Sequence, residues 1–114
     1  MRRVVITGAG TINPLGGDVP ATYAAMREGH CGIGPLEIAD VERLSIQIGG
    51  QIRGYDEAAH FNRQQIALYD RFTQFTLLAA REAITASGLT FSGDLADRSG
   101  VVLGTSGGGL NTQD

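Results

Sequence analysis

Residues 70–88, DRFTQFTLLAAREAITASG, decide the fold of this chain. The stretch is typical of a helix with both ends marked. The Asp70 carboxylate can cap the first turn, and Gly88 can adopt the left-handed conformation that ends the last one. The apolar side chains follow helical spacing over a wide face. The polar positions form only a narrow stripe, which consists of Gln74, Arg81 and Thr85. The sequence therefore predicts a helix that other elements cover on most sides.

Two short apolar segments flank this helix in the sequence, Val4–Thr7 and Val101–Gly104. They are typical of strands in a parallel sheet that is covered on both faces. Two parallel strands joined by a helix form a β-helix-β unit, so the pattern predicts an α/β fold. Two strands alone do not make a stable sheet. We therefore expect residues 1–114 to be the first part of a longer, layered protein.

A short helix is predicted over Ala21–Glu28, near the start of the chain. Asp18 can cap this helix and Pro20 suits its first turn, while Gly29 marks its end. Its inward-facing candidates are Tyr23, Ala24 and Met26.

The pattern is weaker between His30 and Gln65. Partial alternation over Ser45–Ile52 predicts an edge strand, and Asp56–Ala67 tolerates a short helix. No internal repeat, low-complexity tract or domain linker is visible anywhere in the sequence.

The composition excludes several classes of protein. A net charge of −3 argues against a nucleic-acid partner, because a phosphate-binding surface needs excess positive charge. The single cysteine, Cys31, excludes an internal disulfide and indicates a reducing compartment. No apolar run is long enough to span a bilayer, and a strand starting at Arg2 leaves no room for a signal peptide. We therefore expect a cytoplasmic protein without a membrane partner.

Gly8 and Gly10 follow the first predicted strand, as glycines do in dinucleotide-binding loops. The position of the third glycine is instead Asn13, which is followed by Pro14. No helix begins before Asp18, so the helix N-terminus that would meet a pyrophosphate is missing. We predict that these glycines turn a crowded strand end and that the chain binds no nucleotide cofactor.

The nucleophilic and metal-ligating residue types form no recognisable site. Cys31 follows the end of the first predicted helix, where the partial negative charge disfavours a thiolate. His30 and His60 do not combine with one cysteine into a known metal-ligand set. Asp70 and Arg71 are interpreted as a helix cap and its solvated neighbour rather than as a functional charge pair. We therefore predict no catalytic residue and no metal site in this chain.

Taken together, several stretches resemble the N-terminal part of a β-ketoacyl-acyl-carrier-protein synthase in their order and spacing. No single stretch is diagnostic, but the ordered set is specific, and the region of residues 37–65 is the least similar. The matching stretches are Arg3–Gly10, Asn13–Gly16, Gly29–Ile33, Asp70–Phe75, Ala79–Ala83 and Gly100–Gly108.

The resemblance implies a thiolase-like, layered α-β-α-β-α fold. Residues 1–114 would supply its opening β-α-α-β part, as an incomplete N-terminal domain. It also implies decarboxylative Claisen condensation. In that reaction a cysteine accepts an acyl group from acyl carrier protein, and malonyl-acyl carrier protein then loses CO₂ and attacks the thioester. The implied partners are acyl carrier protein with its acyl and malonyl groups and a second copy of the protein. No cofactor is implied.

The resemblance places the nucleophilic cysteine and two histidines beyond Asp114, so residues 1–114 alone are expected to be inactive. It also implies that Gly107 and Gly108, in the glycine-rich turn Ser106–Gly109, bind the substrate beside an acyl tunnel and the dimer interface. Gly107 corresponds to a position where some relatives carry a bulky aliphatic side chain that limits acyl length. The alternative is a non-catalytic partner subunit of a condensing-enzyme heterodimer, which keeps the fold but lacks the cysteine.

Overall fold

The computed structural model describes residues 3–109 of the chain. Its helices are α1 (Val19–Arg27), α2 (Arg63–Leu68), α3 (Arg71–Ser87) and α4 (Asp94–Asp97). The strands β1 (Ile33–Pro35) and β2 (Ile48–Gly50) pair antiparallel, with Ile33 opposite Gly50 and Pro35 opposite Ile48. Short 3₁₀ turns cover Val41–Arg43 and Glu57–Ala59. No helix within residues 3–109 has the length and apolar character needed to cross a membrane.

The long central helix α3 has the predicted bounds. It begins after Asp70 and ends at Gly88, whose φ of 64° is left-handed and whose amide donates to the Thr85 carbonyl at 3.2 Å. The predicted role of the Asp70 side chain is wrong, because it makes no capping hydrogen bond to this helix. The Asp70 backbone carbonyl instead accepts from the Gln74 amide at 3.0 Å, which closes the first turn.

The predicted polar stripe on α3 is wrong at Gln74, whose exposed fraction is only 2%. Its side-chain Oε1 accepts from the Tyr55 hydroxyl at 2.6 Å, and its Nε2 donates to the Tyr69 carbonyl at 2.9 Å. A buried amide is tolerated when both of its ends are hydrogen-bonded in this way. Gln74 therefore ties α3 to the loop before α2 and to the connection between α2 and α3.

The two strands predicted on either side of α3 do not form within residues 3–109. Neither Val4–Thr7 nor Val101–Gly104 forms a strand, and Val4 and Val102 are 96% and 100% exposed. A strand exists only when its backbone amides and carbonyls pair with a neighbour, and no other described segment pairs with these two. Within residues 3–109 the only sheet is the β1–β2 ribbon, so the predicted β-α-α-β order is absent there.

Helix α1 confirms the predicted start and end signals. The Asp18 Oδ1 accepts from the Ala21 amide at 2.7 Å, and Gly29 takes a left-handed φ of 72° just past the helix. The prediction that Tyr23, Ala24 and Met26 face inward is wrong, because all three are exposed and Ala25 is buried instead. The first turn of α1 bonds to distant residues, with the Val19 amide donating to Glu82 and the Thr22 hydroxyl accepting from Asn13, and helical spacing does not reveal these contacts.

The region between the two main helices is only partly as predicted. The edge strand expected over Ser45–Ile52 is confirmed at its centre, as β2. The single helix expected over Asp56–Ala67 is wrong, because a 3₁₀ turn ends at Ala59 and α2 begins afresh after Asn62. There, Asn62 and Gln65 exchange side-chain to backbone hydrogen bonds of 2.9 and 3.0 Å in a capping box, which fixes a new helix start.

Candidate functional site

The glycine-rich turn lies over the first turn of α3. Gly107 has a φ of 76°, and a Cβ added there would meet no described atom within 4 Å. Gly108 is half-buried, and a Cβ added there would lie 2.8 Å from Phe72 Cδ2 and 2.9 Å from Thr105 Oγ1. The turn therefore has space for a side chain at Gly107 and none at the neighbouring Gly108. Substrate binding at Gly107 and Gly108 stays a prediction.

The amino-terminal glycine segment, Gly8–Gly10, lies against the other end of the same helix. A Cβ added at Gly10 would lie 1.9 Å from the Ala79 carbonyl oxygen, and one at Gly8 would lie 2.2 Å from the Ala83 carbonyl oxygen. The predicted crowding is therefore confirmed, but its cause is the backbone of α3 rather than a strand end. The two glycines let the chain pass close to the helix.

Glu82, on α3, is the polar residue that sequence reasoning missed. Its Oε2 accepts from the Thr11 amide at 2.8 Å, and its Oε1 accepts from the Val19 amide at 2.7 Å. Val19 is the first residue of α1, so its amide has no hydrogen-bond partner inside that helix. The amino-terminal end of the helix also carries a partial positive charge, which favours a carboxylate there. One carboxylate thus fixes both ends of the loop 11–18. The available signal was an acid set among the alanines of the apolar face of α3.

Asn13 holds the same loop from within. Its Nδ2 donates to the hydroxyls of Thr11 and Thr22 at 3.0 and 2.9 Å, and its Oδ1 accepts from the Leu15 amide at 2.8 Å. The backbones of Asn13 and Gly16 also exchange hydrogen bonds of 2.9 and 3.2 Å. Because these contacts use the whole Asn13 side chain, they stabilise loop 11–18 as a turn rather than leave a group for a ligand.

A cavity of about 640 Å³ lies between loop 11–18 and residues 52–60, with Leu78 and Glu82 among its lining. Its carboxylates already have backbone partners: Asp18 accepts from Ala21, Asp56 from Ala58 at 3.0 Å, and Glu82 from two amides. The Arg53 Nε pairs with Glu37 at 3.2 Å. The cavity therefore brings together no nucleophile and base in the arrangement that covalent catalysis needs.

The thiol and the imidazoles do not form a site. The Cys31 Sγ is exposed and lies 3.8 Å from the Ile33 carbonyl oxygen, while His30 Nε2 lies 3.3 Å from Glu28 Oε2. His60 stacks on the Tyr55 ring, with the two ring centroids 5.9 Å apart. Among residues 3–109, no group of three or more His, Cys, Asp or Glu residues is placed to hold a metal ion.

An aromatic cluster surrounds Tyr55 beside the amino-terminal end of α3. The Arg71 guanidinium lies 5.5 Å from the centroid of the Tyr55 ring and 5.6 Å from that of Phe75. Tyr55 and Phe75 meet edge to face at 4.9 Å. Burial raises the pKa of Tyr55 above its ordinary value, the Glu57 carboxylate adds to this rise, and Arg71 opposes it. Arg71 is therefore more than the solvated neighbour that the sequence predicts.

Comparison with known proteins identifies the family. The sequence-family model of the β-ketoacyl synthase N-terminal domain matches residues 1–114. A 3-oxoacyl-[acyl-carrier-protein] synthase 2 of Staphylococcus aureus (strain N315) is 36% identical over 111 residues, covering 97% of this chain. Nodulation protein E of Rhizobium sp. (strain N33) is 40% identical over 108 residues, covering 95% of this chain. The chain spans about 27% of the length of these curated relatives.

Proposed function

This chain belongs to the β-ketoacyl synthase family through its N-terminal domain, and on that premise we propose that the full-length protein is a condensing acyltransferase. The observation that carries the proposal is the family match over residues 1–114, together with a 3-oxoacyl-[acyl-carrier-protein] synthase at 36% identity. Its place would be fatty-acid synthesis or related polyketide synthesis in the cytoplasm, with acyl carrier protein and a second copy of the protein as partners.

The proposed reaction has two stages. A cysteine thiolate attacks the thioester of acyl-acyl carrier protein, and the carrier thiol leaves. Malonyl-acyl carrier protein then loses CO₂, and the resulting carbanion attacks the enzyme thioester. A carbon–carbon bond forms, the cysteine thiolate leaves, and 3-oxoacyl-acyl carrier protein is the product. We place the cysteine and the two assisting histidines outside residues 1–114, so these residues alone would not condense acyl groups.

We assign residues 1–114 the role of a scaffold that carries part of the substrate site. The exposed apolar segments Val4–Thr7 and Val101–Gly104 would pair with strands elsewhere in the full-length protein and so build the layered thiolase-like fold. The exposed fractions of Val4 and Val102 are 96% and 100%. They support this role, because covering an exposed apolar side chain lowers the free energy of the protein.

The direct test uses purified full-length protein with acyl- and malonyl-acyl carrier protein, and mass spectrometry to detect the 3-oxoacyl product. Condensation by the full-length protein is the expected result. The chain of residues 1–114 serves as the inactive comparison, and product formation by it would contradict the proposed division of roles. Condensation only after a second, related subunit is added would support the alternative of a non-catalytic partner.

The proposed substrate site is tested at Gly107. An added side chain there points into space free of described atoms, and we propose that this space belongs to the acyl tunnel. Gly107→Ile in the full-length enzyme should therefore shorten the preferred acyl chains. Gly107→Ala is the matched control, because it has the same left-handed backbone but adds only one methyl group. Equal product profiles for the two variants and the parent enzyme would contradict the assignment.

A further inference from the structure

We infer that Phe72 is a specificity-determining residue of the acyl site, and that it acts by setting the position of the glycine-rich turn through contact with Gly108. This inference rests on the proposed function, since it concerns which acyl chains the condensing enzyme accepts. The observation that carries it is steric: a Cβ at Gly108 would come within 2.9 Å of two atoms of the Phe72 ring. Real Cβ atoms essentially never approach so closely, so the turn already lies at the ring.

The helix that carries the Phe72 ring is held in place by hydrogen bonds at its first turns. Phe72 lies in the first turn of α3, and its carbonyl accepts from the Thr76 hydroxyl at 2.8 Å. Two residues further along the helix, Gln74 is hydrogen-bonded to Tyr55 and Tyr69. The turn has room to move on its other side, since a Cβ added at Gly107 would meet no described atom within 4 Å. A change in side-chain volume at this contact is therefore expected to move the turn rather than the helix.

Neighbouring glycines in this turn should then control acyl length in different ways. A side chain at Gly107 would project directly into the open space beside the turn. A side chain at Gly108 would push against Phe72 and displace the turn away from α3, toward the same space. A smaller residue at position 72 would remove that obstacle. The size of the side chain at position 72 and the size at position 108 should therefore compensate for each other.

The test measures kcat/KM of the full-length enzyme over a series of acyl chain lengths. Gly108→Ala should reduce the preference for long over short chains by about tenfold, the discrimination that one methylene gives in an apolar pocket. The double variant Phe72→Leu/Gly108→Ala should return the preference close to that of the parent. Phe72→Leu alone should favour longer chains, and it keeps the inference testable if Gly108→Ala does not fold.

The matched control is Phe75→Leu, an equal change of volume three residues away on α3, where the ring contacts Tyr55 instead. Phe75→Leu/Gly108→Ala should not recover the preference for long chains. Equal recovery by the two leucine variants, or none by Phe72→Leu, overturns the inference and leaves the proposed function in place. If the parent protein forms no 3-oxoacyl product, alone or with a partner subunit, the proposed function fails and the inference fails with it.

Discussion

The amino-terminal glycine segment and Gly107 of the glycine-rich turn need glycine for different reasons. At Gly10 and Gly8 the limit is space, because added Cβ atoms would lie 1.9 and 2.2 Å from carbonyl oxygens of α3. At Gly107 the limit is conformation, because φ is 76° and no described atom is close. Glycine-rich sequence therefore does not by itself indicate a ligand, since the first segment uses its glycines to pack on a helix.

Gly10→Ala tests the steric limit at the amino-terminal glycine segment and should have the largest effect. The added methyl group meets a helix carbonyl that cannot rotate away, so the segment or α3 must move. We expect the free energy of unfolding of the full-length protein to fall by about 3 kcal/mol, the upper range for overpacking. Urea unfolding measures it. Gly17→Ala is the control, because a Cβ there has nothing within 4 Å, and an equal loss in both variants would refute the steric explanation.

Glu82→Gln tests whether hydrogen bonding holds loop 11–18, which directly follows the amino-terminal glycine segment. The substitution keeps the shape but places an amide NH₂ against one of two backbone donors, Thr11 or Val19. We expect a loss of about 2 kcal/mol, as for a hydrogen bond to a charged group. Hydrogen exchange should also become faster at the Thr11 and Val19 amides. Glu42→Gln, at an exposed carboxylate, should leave both quantities unchanged.

Gln74→Leu tests the amino-terminal part of α3, against which the glycine-rich turn lies. It leaves the Tyr55 hydroxyl and the Tyr69 carbonyl without their partner. An unsatisfied group costs about 1 to 2 kcal/mol when it remains partly buried. In a double-mutant cycle with Tyr55→Phe, the two losses should be less than additive, because each removes the same hydrogen bond. Strict additivity would show that the two side chains do not interact.

Gly107→Ala should cost less than any of these changes in stability, about 1 kcal/mol, because only the left-handed backbone opposes it. Gly17→Ala is the control, since its added Cβ is equally open and its φ is not left-handed. Thermal unfolding of the two full-length variants compares them. A loss at Gly107 as large as at Gly10 would erase the distinction between the two segments.

The smallest effect is expected from Tyr55 at alkaline pH. Burial raises the pKa of this hydroxyl above 10.0, so the unfolded chain loses the proton first. The stability that the neutral phenol contributes is complete below the unfolded pKa of about 10 and is lost as pH rises through the folded-state pKa. Tyr55→Phe should therefore reduce the alkaline loss of stability, whereas Tyr23→Phe, at an exposed ring, should not.

Local signals predicted α1 and α3 but not the break before α2 or the helix α4, and contacts between distant residues decided other features. Gly88 and Asp18 mark helix ends because their effect extends over only a few residues. Glu82 was missed because its partners lie 71 and 63 residues away, beyond any periodic pattern. The apolar character of Val4–Thr7 was read correctly, but a strand also needs a pairing neighbour, and composition does not supply one. Only the family resemblance predicts a substrate site at the glycine-rich turn. Only the geometry shows that Phe72 lies against Gly108 in that turn.

The exposed Cys31 has a practical consequence for enzymology on the full-length protein. Alkylating reagents used to count or inactivate a reactive thiol will reach this surface cysteine as well, so the labelling stoichiometry will combine both groups. A Cys31→Ser background removes this contribution at an exposed side chain whose thiol makes a weak contact of 3.8 Å to the Ile33 carbonyl oxygen. Loss of activity on alkylation can then be assigned to the thiol that performs the proposed chemistry.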